Sequence, residues 1–155
     1  MKKSCFGLLI LLVASCSTDK TLSTGEQLQK DVAVIDKYVV DNAIANVQQD
    51  PSGLRYVITT AGPAGGVKPT ITNQISVKYT GKLLSTAAVF DQHLTAVTFP
   101  LSGLIQGWQI AFPLFTKGTK ATLFIPSGLG YGPTGSTSIP PNSNLLFDVE
   151  LVDVK

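Results

Sequence analysis

The stretch "QISVKYTGKL", residues 74–83, alternates without a break. Ile75, Val77 and Tyr79 fall on one side of an extended chain, and Ser76, Lys78 and Thr80 on the other. That period of two predicts a strand with one dry and one wet face, as in an antiparallel sheet. Two later stretches repeat the pattern. "KATLFIP" (120–126) puts Ala121, Leu123 and Ile125 on one face. "LLFDVELVDV" (145–154) turns Leu145, Phe147, Val149 and Leu151 inward, with Asp148 and Glu150 outward. Upstream, "LRYVITT" (54–60) is a short β-rich run, and "AGPAGGVKP" (61–69) reads as a loop. A single short helical segment, "GWQIAFPLF" (107–115), stands among the strands. Strands dominating one short helix predict an α+β architecture, an antiparallel sheet packed on a helix.

Before the strands comes "STGEQLQKDVAVIDKYVVDNAIANVQQDPSG" (23–53). Ser23 with Glu26, or Thr24 with Gln27, supplies a capping box. Leu28, Val32, Ile35 and Val39 then recur at helical spacing. "DPSG" at 50–53 is the stop signal, because proline cannot continue a helix and glycine permits a turn. An N-terminal helix is therefore expected within 24–50. Its apolar stripe must be buried, either on its own domain or on a second copy of the chain as a homodimer.

The chain opens "MKKSCFGLLILLVASC": two lysines, an apolar run from Phe6 to Ala14, then small residues. This reads as a secretory leader, residues 1–15, since the run is about half the ~20 residues that a membrane-spanning helix needs. "VASC", Val13–Cys16, resembles a bacterial lipobox, in which the cysteine is acylated and becomes the first mature residue. Residues 16–23 read as a tether. Two acyl chains suffice for stable anchoring, so the expected membrane contact is lipid on Cys16. Ser17 after the cysteine favours the outer membrane on the enterobacterial sorting rule, facing the periplasm. Removing Lys2 and Lys3 leaves 10 basic residues, from 12, against 10 acids. A neutral surface argues against nucleic acid as a partner.

Much ordinary chemistry is missing. The one histidine, His93, has no nucleophile elbow near it, and once the leader is gone Cys16 is the remaining cysteine. Zinc needs three or four nitrogen or sulfur ligands, and "GPAGG" lacks the Lys-Ser/Thr that completes a phosphate loop. Neither a metal nor a cofactor is expected. An enzyme built from these residues would have to act through surroundings alone.

In order along the chain, "VKYTGKL" with "VFDQ", then "FPL…LIQGW", "GTKATLFIPSGLGYGP" and "IPPNSNLLFDVEL" closely resemble the FKBP-type peptidyl-prolyl cis-trans isomerases. The resemblance covers about 72–155, with 51–71 as a connecting strand and loop. It implies a highly twisted antiparallel sheet wrapped around a short helix. It implies that Trp108 is the floor of a proline-binding pocket walled by Tyr79, Phe90, Phe99, Leu104, Ile105, Tyr131 and Phe147, with Ile139 at the rim. It gives the Ile105 N–H and the Tyr131 hydroxyl as donors to substrate carbonyls, and places Asp91 in a hydrogen bond near Tyr79. The implied partners are proline-containing polypeptides of the envelope, with FK-type macrolides as inhibitors. All these pocket residues lie within 79–147, so the N-terminal helix is expected to serve stability or dimerisation and not the site.

The chain departs from the family pattern in three places. "LSTAAV" lacks the usual turn glycine before "FD". The only arginine is Arg55, far upstream of Asp91, where some members pair that aspartate with an arginine. Ser136 stands where some relatives have histidine, in the short loop "GPTGSTSI" (132–139). These departures keep open an alternative, a low-turnover proline-binding chaperone or adaptor.

Overall fold

The computed structural model describes residues 23–155. The leader, Cys16 and the rest of the tether up to Ser23 lie outside the described residues. The first helix, α1, runs Thr24–Asp41. Of the two capping boxes, Ser23 with Glu26 forms. The Ser23 hydroxyl accepts the Glu26 N–H at 3.3 Å, and the Glu26 carboxylate accepts the Ser23 N–H at 2.9 Å.

The helix stops well short of Asp50, which corrects the expected 24–50 segment. Asn42 caps it, sending both its backbone N–H and its side-chain amide to the Tyr38 carbonyl. Ala43 and Asn46 then take positive φ values of 50° and 59°, which no helix continues through. "DPSG" instead makes the turn between β1 (Gln48–Gln49) and β2 (Arg55–Thr60). The Gly53 N–H reaches the Asp50 carbonyl at 3.0 Å, with Gly53 at φ 94°.

The remaining strands are β3 (Gln74–Leu83), β4 (Val89–Pro100), β5 (Lys120–Ile125) and β6 (Leu145–Val154). All six form one antiparallel sheet in the order β1-β2-β5-β6-β3-β4. β3 and β6 occupy the bounds that their alternation predicts. β4 is a strand that the sequence reading did not assign, because it lies at an edge with most of its side chains exposed. It also bulges: Val77 faces Val97, but Tyr79 faces His93, so residues 94–96 loop out of register.

The inner face of the sheet wraps the second helix, α2 (Gln106–Ala111), and the 3₁₀ turn Phe112–Leu114 that follows it. Val77, Leu123, Phe147 and Leu151 from the strands close over Trp108 and Phe112. The outer face is divided. At one end α1 lays Ile35 on Leu84, Phe124 and Leu146, with the Tyr38 ring 6.0 Å from that of Phe124. The stripe is thus partly buried on the chain's own domain: Ile35 is fully covered, while Leu28, Val32 and Val39 are half-buried. The rest of the outer face is a polar ladder. Lys82 pairs with Asp148 at 2.9 Å, and Lys78 and Lys120 share Glu150 at 3.6 and 3.7 Å.

Candidate active site

The short helix lies close on the sheet for a simple reason. Gly107 has no side chain, and a Cβ there would come within 2.6 Å of the Ile125 side chain. Glycine therefore lets α2 sit directly on β5. That seats Trp108, 3% exposed, against three aromatic rings. Tyr79 and Phe147 meet it edge to face at 5.1 and 5.2 Å, and Phe112 lies tilted at 5.1 Å. These are the separations and angles that ring quadrupoles favour. The indole N–H, buried and without an acceptor among the described residues, is enclosed by this aromatic cluster.

From Phe147 the cluster continues outward. Phe90 stands perpendicular to Phe147 at 5.5 Å, and Tyr131 perpendicular to Phe90 at 6.4 Å. Gly81 makes this approach possible, since a Cβ there would lie 2.6 Å from the Phe147 ring and 2.8 Å from Phe90. Phe99, Leu104 and Ile105 pack beside the cluster and stay half-buried. Tyr131 is 37% exposed. Ile139, expected at the rim, is 3% exposed and belongs to the core instead. The reason is a tight bridge in which Ser136 and Ile139 exchange backbone hydrogen bonds of 2.8 and 3.2 Å, folding the side chain inward.

Polar groups are few. The Tyr79 hydroxyl donates to Asp91 at 2.6 Å. Burial, and then the Asp91 carboxylate, push the Tyr79 phenol well above its ordinary value, and Tyr131 rises for the same two reasons. Both phenols are therefore donors at neutral pH. Among the described residues Asp91 has no cationic partner within salt-bridge distance, and Arg55 pairs instead with Asp36 on α1 at 2.9 Å. The Ile105 N–H, at the cap of α2, has no acceptor among the described residues, whereas the Ile105 carbonyl takes the Trp108 N–H at 3.0 Å. The His93 ring lies 5.4 Å from the Tyr79 ring and makes no side-chain hydrogen bond among the described residues. A separate groove of about 480 Å³ lies between α1 and the β1–β2 turn, lined by Leu28, Val32, Pro51 and Arg55. Its guanidinium is already neutralised by Asp36, so it offers no comparable chemistry.

The inner site is a cluster of aromatic rings with two donors, the Ile105 N–H and the Tyr131 hydroxyl, that meet no acceptor among the described residues, where no nucleophile is hydrogen-bonded to a base either. The family model for FKBP-type peptidyl-prolyl cis-trans isomerases matches residues 65–152, and the chain belongs to that family. It is 43% identical over 113 residues to a probable FKBP-type peptidyl-prolyl cis-trans isomerase of Haemophilus influenzae, covering 70% of this chain and 46% of that one. It is 39% identical over 109 residues to the outer membrane protein MIP of Legionella longbeachae, covering 68% and 46%. The chain thus spans about half the length of these curated relatives. Among solved structures, a peptidyl-prolyl cis-trans isomerase of Pseudomonas syringae superposes with a TM-score of 0.73 at 29% identity, over 86% of this chain and 97% of that one.

Sequence reasoning missed one set of residues tied to the site. Asp31, Ser127 and Asn144 form a buried polar knot between α1 and the segment that carries Tyr131. A signal was available: Asp31 is an acid set between Leu28 and Ile35 on the apolar stripe of the helix.

Proposed function

We propose that this chain catalyses rotation about Xaa-Pro peptide bonds in the bacterial cell envelope and so assists folding there. The observation that carries the reading is Trp108 within a cluster of aromatic rings, beside two donors, the Ile105 N–H and the Tyr131 hydroxyl, that meet no acceptor among the described residues. The uncatalysed barrier is roughly 18–20 kcal/mol, because the amide C–N bond has partial double-bond character. Twisting the bond removes that resonance and lowers the amide's polarity. An apolar box therefore disfavours the planar, dipolar ground state relative to the twisted one. The two donors fix the flanking carbonyls, so that rotation is confined to one bond. An acceleration of ~10⁴ asks for about 5.5 kcal/mol of such differential stabilisation.

In this reading Tyr79, Phe90, Asp91, Trp108, Tyr131 and Phe147 surround the rotating bond, with Phe99, Leu104 and Ile105 completing the walls. Asp91 orients the Tyr79 hydroxyl. The substrates are proline-containing polypeptides, and FK-type macrolides compete for the box. Acylated Cys16 tethers the protein to the outer membrane, a reading supported by "VASC" in the sequence and by likeness to a protein named for that membrane. The groove beside Leu28 and Val32 supports a second copy as a further partner.

The test is cis-trans exchange in an Ala-Xaa-Pro-Phe peptide with the full chain in detergent. Acceleration well beyond the uncatalysed tens to hundreds of seconds, abolished by an FK-type macrolide, is expected. An unchanged rate with folded protein, together with measurable peptide binding, would replace this reading with the low-turnover chaperone.

A further inference from the structure

We infer that Asp31, on the N-terminal helix, is a positioning residue for the site, acting through Ser127 on Tyr131. This rests on the isomerase reading for its kinetic consequence, and on the geometry alone for its structural one. Asp31 is 3% exposed and Ser127 fully buried. One oxygen of the Asp31 carboxylate accepts both the Ser127 N–H at 2.9 Å and the Ser127 hydroxyl at 2.5 Å. The other accepts the Gln27 side-chain amide at 2.7 Å. The Asp31 backbone carbonyl accepts the Asn144 side-chain amide at 3.3 Å, and the Asn144 side-chain oxygen accepts the Ser127 N–H at 3.2 Å.

One residue of α1 thus holds both ends of the segment 127–144. That segment bears Tyr131. The Ser127 carbonyl accepts the N–H of Gly130 at 3.0 Å and of Gly132 at 2.9 Å, the two neighbours of Tyr131. The sequence of contacts is short and continuous: Asp31 fixes Ser127, Ser127 fixes the backbone on each side of Tyr131, and Tyr131 stands against Phe90. A buried carboxylate that accepts three hydrogen bonds is a costly device for mere adhesion, because an apolar residue on the same stripe would bury without desolvating a charge. What it supplies that an apolar contact does not is direction: hydrogen bonds fix the orientation of a loop that has little apolar weight of its own. The helix expected to stand apart from the site is therefore part of its support.

The experiment uses the full chain in detergent, with Asp31→Ala, Asp31→Asn and Tyr131→Phe, singly and combined. Asp31→Ala should lower kcat/KM on the tetrapeptide roughly tenfold, mainly through KM. Asp31→Asn keeps an acceptor oxygen and should recover most of that loss. In a Tyr131→Phe background Asp31→Ala should cost under about twofold, because both changes remove one device. A tenfold loss that persists undiminished in that background, or no loss at all, overturns the inference. Amide hydrogen exchange gives a readout independent of catalysis. Gly130 and Gly132 should exchange faster in Asp31→Ala while Tyr79 and Val149 in the sheet stay protected; unchanged exchange at Gly130 and Gly132 refutes the positioning role. If Asp31→Ala does not fold, Ser127→Ala removes the hydroxyl bond alone and is read the same way. Absence of isomerisation by the unmodified chain would count against the proposed activity, and the exchange measurement would still decide what Asp31 holds.

Discussion

The two helices sit on opposite faces of one sheet and are attached by opposite means. α2 has six residues and α1 has eighteen, yet the shorter one buries Gly107, Trp108 and Ala111 and the longer buries Asp31 and Ile35. α2 is held by ring edges, a glycine contact and the part-buried Gln109 amide on the Leu104 carbonyl, while its buried indole N–H has no hydrogen bond among the described residues. α1 is held by fully buried Ile35 with half-buried Tyr38 and Val39 beside it, the Asp36–Arg55 pair and the Asp31 carboxylate. Close packing of rings gives large, undirected stabilisation; buried hydrogen bonds give little net energy but fix orientation. The inner helix is thus the stability centre, and the outer helix is a bracket.

The comparison can be broken most directly at its heavy end. Trp108→Ala should cost about 3–5 kcal/mol of unfolding free energy in a urea melt and abolish macrolide binding; a cost near 1 would mean that α2 is not the centre. Ile35→Ala, the matching truncation on α1, should cost about 2–3 kcal/mol, because half-buried Tyr38 and Val39 can settle into the gap. If it costs more than Trp108→Ala, the ranking of the helices is reversed.

Gly81→Ala should destabilise by about 1–3 kcal/mol, since the new Cβ drives Phe90 and Phe147 apart. Isomerisation should fall more steeply than stability, and equal losses would detach those rings from the site. Titration should separate the two faces as well. The Tyr79 and Tyr131 phenols are raised above 10.0 by burial and by Asp91. Stability from them is fully present below pH 10 and lost as pH rises beyond it. Glu26 is lowered from 4.5 by the Ser23 N–H and hydroxyl. Its contribution is present above pH 4.5 and lost as pH falls through the lowered value, so acid should fray α1 first, as seen by amide exchange at residues 24–28. The smallest effect is Lys37→Ala. Its partner is Asp41, both side chains are more than half exposed, and the loss should stay under about 0.5 kcal/mol by thermal melt.

How much of this was legible in the sequence depends on which physics carried it. β3 and β6 were readable to the residue, because burial on one face imposes a period of two on Ile75, Val77 and Tyr79 and on Leu145, Phe147 and Val149. β4 was not, because an edge strand with a bulge is under no such constraint. The end of α1 was misplaced because proline and glycine at 51 and 53 are stop signals equally suited to a hairpin turn, and only pairing with β2 decides between them. The aromatic residues named for the site came from the family pattern, which no local rule would have supplied, and Ile139 departs from it because its bridge to Ser136 is a matter of backbone geometry. Asp31 was hidden for another reason: its partner Ser127 is far along the chain, and no local rule connects them.

The bulge in β4 has a bearing on the company such a protein keeps. A sheet ends in two rows of unpaired backbone groups, and those rows invite any extended chain to add itself as another strand. Here one border strand, β1, is two residues long, and the other is thrown out of register at 94–96. Neither border presents a long straight row. A sheet with such borders can meet unfolded polypeptides without offering its own edges as a seed for their aggregation.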